Sequence, residues 1–100
     1  MRVRRTGKSF AHPLVVLVAL PNNQEQIRFA VSAGRRVGNA VQRNRAKRLL
    51  REAARDFLPQ VSTGWDVVLV ARPPLPEAEF QDVKAAVGLL FNRANLLENR

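Results

Sequence analysis

Residues 14–20 form an unbroken apolar run that is rich in β-branched valine. The run is too short for a typical buried helix, and β-branched side chains favour strands, so it predicts a strand that is covered on both faces. The turn-forming sequence Pro21-Asn22-Asn23 follows and ends the strand. A second apolar run at residues 65–71 predicts another interior strand. The chain must therefore build its core around a sheet.

Residues 27–33 predict a further strand, because apolar side chains alternate there with Arg28, Ala30 and Ser32. The apolar positions are Ile27, Phe29, Val31 and Ala33. We expect this strand to pair antiparallel with the strand at 14–20, as a hairpin. The loop at 34–38 carries two arginines between two glycines, which permit backbone conformations that other residues rarely adopt.

Two helices complete the predicted secondary structure. The first has Asn39 as its N-cap and extends to about Leu58, where Pro59 stops it. The second begins at about Glu77, and its apolar residues recur every three to four positions as one stripe. That stripe consists of Phe80, Val83, Val87, Leu90, Phe91 and Ala94.

The order strand, strand, helix, strand, helix predicts an α/β (α+β) sandwich in which helices pack on a small sheet. A length of 100 residues is typical of one domain, so residues 1–100 form a single unit. Residues 1–9 are basic and predict an arm or a short edge strand. A secretory signal is disfavoured because His12-Pro13 interrupts its apolar region and no cleavage pattern follows Leu20.

Charge is the most informative bulk property. The chain holds 17 Lys and Arg against 8 Asp and Glu, for a net charge of +9. Such an imbalance disfavours compaction and attracts a polyanion, so nucleic acid is the first expected partner and an anionic membrane surface the second. Cysteine is absent, which excludes a disulfide framework, a thiolate zinc site and a cysteine nucleophile, and fits a reducing compartment.

Basic residues concentrate in and just before the first predicted helix. At about 100° per residue, its apolar residues fall within an arc of roughly 100°, the core face. These residues are Ala46, Leu49, Leu50, Ala53 and Phe57. The basic residues Arg43, Lys47, Arg51 and Arg55 form a ridge at i, i+4 spacing, with Asn44, Arg45 and Arg48 beside it.

Like charges at i, i+4 spacing destabilise a helix, so this surface predicts binding to a polyanion. The alternative is a solvated charged face, but solubility favours mixed signs and Glu52 is the one acid between residues 35 and 55. A membrane-surface helix would need large apolar residues beside the basic arc. Here those residues are required for the core.

The segment GRRVGNAVQRNRAKRLLREA, residues 34–53, resembles the signature of the bacterial ribonuclease P protein component. In that family an Arg-Asn-Arg motif lies in a basic helix. A basic pair, Val or Ile, Gly, Asn and Ala precede the motif, and Lys-Arg, Leu-Arg and Glu follow it. Each of these has a counterpart here, and a looser similarity covers most of residues 7–95.

The resemblance implies a small mixed four-stranded sheet in which the basic helix joins two parallel strands by a left-handed crossover. It also implies that the chain is the non-catalytic protein subunit of a ribonucleoprotein endoribonuclease that removes the 5′ leader of precursor tRNA. The RNA subunit holds the catalytic Mg²⁺. The implied partners are the ribonuclease P RNA and precursor tRNA, in the cytoplasm, with no membrane and no protein partner.

The resemblance also assigns site residues. Those expected to bind the catalytic RNA are Arg35, Arg36, Asn39, Arg43, Asn44, Arg45, Lys47, Arg48 and Arg51. Those expected in a cleft for the leader are Phe10, Arg28 and Ser32. Family members commonly carry a further N-terminal helix with aromatic residues that wall this cleft. In this sequence we expect that helix to be either lost or reduced to a remnant at residues 3–5.

No catalytic or metal-binding residue is expected in the chain itself. His12 is the one histidine, and the acids have no spacing typical of a two-metal site. The main alternative function is that of a ribosomal or other structured-RNA-binding protein, which would share the basic surface. A DNA-binding protein is third, since helix-turn-helix spacing is lacking.

Overall fold

The computed structural model describes residues 7–97. Its main elements are β1 (Lys8–Ala11), β2 (Val15–Pro21), β3 (Arg28–Ser32), α1 (Ala40–Arg55), β4 (Trp65–Ala71) and α2 (Phe80–Arg93). Three short 3₁₀ helices connect them, at Arg35–Val37, Leu58–Gln60 and Leu75–Glu77. The predicted strands and helices are all present. Both helices are shorter than predicted. The 3₁₀ helix Leu58–Gln60 follows the end of α1, and the 3₁₀ helix Leu75–Glu77 precedes the start of α2.

The four strands form one mixed sheet in the order β1-β2-β4-β3. Strands β1 and β2 pair antiparallel, as do β2 and β4, whereas β3 pairs parallel with β4. The mixed four-stranded sheet is confirmed, and α1 joins two parallel strands. The left hand of this crossover remains a prediction from the resemblance.

The predicted hairpin between β2 and β3 is wrong, because β4 lies between them. Strand β4 is apolar on both faces apart from Asp66, which suits an interior position. In β3, Arg28 and Ser32 are exposed, which suits an edge. The hairpin partner of β2 is instead β1. This edge strand, Lys8–Ala11, shares only Lys8 and Ser9 with residues 1–9, for which an arm or a short edge strand is predicted. Residues 1–6, including the predicted remnant at 3–5, lie outside the described residues.

Both helices pack on the same face of the sheet and against each other. From the sheet, Val15 and Leu17 of β2 and Leu69 of β4 are fully buried there. From α1, the buried residues are Ala46, Leu50, Ala53 and Ala54, while Leu49 and Phe57 of the predicted core face are half-buried. From α2, the predicted stripe is buried except Phe80, which is 40% exposed.

Gly88 of α2 lies against the ring of Phe57, the first aromatic residue after α1. A Cβ at Gly88 would lie 2.8 Å from Cζ of Phe57, which is closer than van der Waals contact allows. The same ring also packs on Phe91, at 5.9 Å between ring centroids. Any larger residue at position 88 would therefore require the Phe57 ring to shift.

The other face of the sheet carries half-buried apolar side chains. Val16 and Val18 of β2 lie beside Val68 and Val70 of β4 on this face, and Leu20 at its end is 47% exposed. We call this surface, with Arg28, Ala30 and Ser32 of β3, the open face. The prediction that residues 14–20 are covered on both faces is wrong for the part of the chain that the structure describes, because both helices lie on one side.

Candidate RNA-binding surface

The basic helix begins at a fixed turn. Val37 is buried and anchors the 3₁₀ helix Arg35–Val37, while Arg35 and Arg36 beside it are exposed. Gly38 follows with φ of 147°, a conformation that residues with a Cβ rarely adopt. Asn39 is the N-cap of α1, as predicted, and forms a capping box with Gln42. The turn therefore sets where the basic residues of α1 begin.

A set of basic side chains faces away from the core without any neutralising partner. The side chains of Arg35, Arg36, Lys47, Arg48 and Arg51 make no hydrogen bond or ion pair within residues 7–97. With Asn44, they form what we call the basic face. Glu52 is the one acid in α1, and its carboxylate binds Arg55 at 2.7 Å. The positive charge of the basic face is thus left for an external anion.

Three residues of the predicted RNA-binding set have contacts inside the protein. Arg43 donates from Nη1 to the carbonyl of Gly38 at 3.1 Å. Arg45 donates from Nε to the carbonyl of Pro76 at 2.8 Å, which links α1 to the turn before α2. The side-chain oxygen of Asn39 accepts the capping bond from the Gln42 amide. Both guanidinium groups retain further N–H donors, and the NH₂ group of Asn39 retains its own.

The predicted leader cleft does not bring its three residues together. Arg28 and Ser32 lie on the open face, with Arg28 Nε 3.3 Å from Asp66 Oδ1. Phe10 pairs with Leu17, which is buried under the helices, and directly paired residues share a face. The ring of Phe10 lies 5.9 Å from the guanidinium carbon of Arg93. The strand register therefore places Phe10 on the helix-covered face and Arg28 and Ser32 on the open face, so the three do not line one cleft. Which of them contacts a leader stays a prediction.

Two cavities adjoin the basic residues, and the sequence did not predict either. One of about 410 Å³ lies at the ends of β3 and β4, where Arg35, Arg36 and Arg72 line it. The other, of about 630 Å³, lies beside α1 and has Phe29 and Leu58 among its lining residues. Their lining residues come from separate segments, so no local pattern could have revealed them.

The described residues form neither a cluster of metal ligands nor a membrane-spanning helix. Within residues 7–97, no three His, Asp or Glu side chains cluster in a way that could hold a metal ion. The Nδ1 atom of His12 accepts a hydrogen bond from the Leu14 amide at 3.1 Å. Over the same residues, neither helix combines the length and apolar character that crossing a bilayer requires.

Comparison with known proteins points to one family. The sequence model of the family described as Ribonuclease P matches residues 1–95. The ribonuclease P protein component of Chloroflexus aggregans is 41% identical over 97 residues, which cover 96% of this chain and 72% of that protein. These matches give no support to the ribosomal alternative.

Solved structures agree with this result. The RNase P protein from Thermotoga maritima is 28% identical, with a TM-score of 0.76 over 93% of this chain and 86% of that one. The RNase P protein of Staphylococcus aureus shares the fold at a TM-score of 0.79, with 24% identity over 92% of this chain and 84% of that one. The chain therefore belongs to the family of ribonuclease P protein components.

Proposed function

We propose that the basic face binds the ribonuclease P RNA and that the open face of the sheet binds the 5′ leader of precursor tRNA. Family membership makes the chain a protein subunit of this ribonucleoprotein endoribonuclease, with the RNA as its partner. The observation that carries the first part is that Lys47, Arg48 and Arg51 have no carboxylate partner within residues 7–97. Cations displayed in this way neutralise phosphates and release counterions.

The open face supports the second part of the proposal. A row of half-buried valines crosses β2 and β4, and the edge strand β3 adds the cation of Arg28 and the hydroxyl of Ser32. Bases of a single strand can pack on apolar side chains while the cation attracts the backbone. Such contacts tolerate many sequences, which suits leaders that differ from one precursor to another.

Hydrolysis belongs, in this proposal, to the RNA and its Mg²⁺. The contribution of the protein is to neutralise phosphates and hold the substrate. A cytoplasmic location, where bacterial tRNA is made, is part of the same proposal.

Reconstitution tests the function. The protein, its cognate ribonuclease P RNA and a precursor tRNA are mixed at a Mg²⁺ concentration at which the RNA alone does not cleave. We expect leader removal only when protein and RNA are both present. A lack of stimulation, together with equal affinity for a ribosomal RNA fragment, would overturn the proposal.

The leader contact needs its own comparison. In the reconstituted enzyme, Arg28→Ala should weaken binding of precursor tRNA and leave binding of mature tRNA unchanged. Phe10→Leu is the matched control, because Phe10 lies on the helix-covered face. Equal effects of the two variants would contradict a leader site on the open face.

A further inference from the structure

A groove of about 630 Å³ lies beside the basic face, where β3, α1 and the 3₁₀ helix after α1 meet. It is lined by Phe29, Arg48, Arg51, Glu52, Arg55, Leu58 and Pro59. Three of these residues, Phe29, Leu58 and Pro59, are apolar, and the other four are charged. The groove thus combines an apolar wall with a largely cationic rim.

The apolar wall is partly open to solvent. Phe29 and Leu58 are half-buried and pack against the core from the edge strand and from the turn after α1, and Pro59 is exposed. An aromatic ring in this setting offers a surface on which a flat, weakly solvated group can stack. No segment within residues 7–97 covers the Phe29 side of the groove, which is open to solvent.

The rim determines the charge of the occupant. Arg48 and Arg51 have no partner within residues 7–97, whereas Arg55 is held by Glu52 at 2.7 Å. Two unpaired guanidinium groups next to an apolar wall favour a ligand that is both flat and anionic. An apolar peptide segment would leave these charges without partners.

We propose that the groove binds one unstacked nucleotide of the RNA partner, with its base against Phe29 and its phosphates on Arg48 and Arg51. The inference rests on the proposed function, since it concerns the same RNA. Specific RNA recognition typically uses bases that leave the helical stack and pack on aromatic side chains. The volume falls within the range of about 300–1,000 Å³ that is usual for sites of small ligands.

The test compares two phenylalanine variants of the full chain. Phe29→Leu keeps an apolar side chain in the groove but removes the flat ring, and Phe80→Leu makes the same change at an exposed position of α2 outside the groove. Binding to the cognate ribonuclease P RNA is measured over a series of KCl concentrations, and thermal unfolding checks that each variant folds. We expect Phe29→Leu to lower affinity by about tenfold because the base loses its stacking partner, and Phe80→Leu to have no effect.

The salt dependence adds a second criterion. Stacking releases no counterions, so Phe29→Leu should leave the slope of log affinity against log salt unchanged. Ultraviolet crosslinking of the wild-type protein to the RNA needs no variant, and it should attach a nucleotide to the peptide that contains Phe29 or to the one that contains Leu58 and Pro59.

The outcomes are distinguishable. If the wild-type protein binds the RNA but Phe29→Leu binds as tightly as Phe80→Leu, or the crosslinks avoid both groove peptides, the nucleotide site is refuted. If the wild-type protein does not bind this RNA at all, the proposed function fails first.

Discussion

Arg45 of the basic helix donates from its Nε atom to the main-chain carbonyl of Pro76, at 2.8 Å. One arginine of the Arg-Asn-Arg motif therefore connects α1 to the 3₁₀ helix Leu75–Glu77, which precedes α2. Its other donors remain available for RNA. The same side chain thus contributes to the fold and to the proposed interface.

Arg45→Ala should consequently reduce both RNA affinity and stability. We expect the free energy of unfolding in urea to fall by about 1 kcal/mol, the typical net contribution of one hydrogen bond. Arg48→Ala is the matched control, because Arg48 has no partner within residues 7–97 and its removal should affect affinity alone. Equal stability of the two variants would show that the bond to Pro76 contributes nothing.

The basic face predicts a strong salt dependence of RNA binding. Removing one cation that binds a phosphate should reduce the slope of log affinity against log salt by about 0.7 to 0.9. We therefore expect Arg48→Ala and Arg51→Ala each to flatten the slope, as measured by filter binding at several KCl concentrations. Arg93→Ala, at the end of α2, should leave the slope as it is.

The capping box predicts a stability effect at the start of α1. Asn39→Ala removes the acceptor of the Gln42 amide bond, which is 2.9 Å long, and should lower the free energy of unfolding by about 1 kcal/mol. Asn44→Ala changes an exposed residue in the middle of the same helix and should stay within about 0.5 kcal/mol of wild type. Thermal or urea unfolding of the pair measures the difference, and an unaffected Asn39→Ala protein would argue against the cap.

The contact between Gly88 and Phe57 predicts that α2 tolerates no branched side chain there. Gly88→Val should lower the free energy of unfolding by about 1–3 kcal/mol, because the new atoms overlap the Phe57 ring. Ala85→Val puts the same side chain on an exposed position of α2. Helix propensity falls in Ala85→Val and rises in Gly88→Val, so propensity cannot explain a loss of stability at Gly88. A Gly88→Val protein as stable as wild type would show that the contact with Phe57 is unimportant.

Asp56 and Lys84 predict a pH dependence at the end of α1. The hydrogen bond from Lys84, at 2.8 Å, and its positive charge hold the pKa of Asp56 below its ordinary value of 3.8. A lowered pKa in the folded state means that the pair stabilises the fold above pH 3.8, and that this contribution disappears as pH falls through the folded pKa.

Lys84→Met should therefore raise the pKa of Asp56 toward 3.8, as followed by NMR titration of the carboxyl carbon. It should also make the stability of the protein less sensitive to acidification. Lys47→Met removes a cation that is not near Asp56 and should leave that pKa where it is. An unchanged pKa in Lys84→Met would contradict the ion pair.

The local structure of this chain follows from short stretches of its sequence. The period of apolar residues identified the helix-forming segments, and it separated the core residues Ala46 and Leu50 from the cationic side of α1. Asn39 and the glycine before it marked where that helix begins. These features depend on neighbours within a few positions, so they can be read from a short window.

The pairing of distant segments is visible only in the folded molecule. Folding places β4 between β2 and β3, puts Phe10 on the helix-covered face and joins Arg45 to Pro76. It also brings Phe29 beside Arg48 and Arg51 to form the groove. Periodicity reports that a face is apolar or charged but not which distant segment covers it. That choice results from the summed packing of the whole core, so it appears only when the chain is folded.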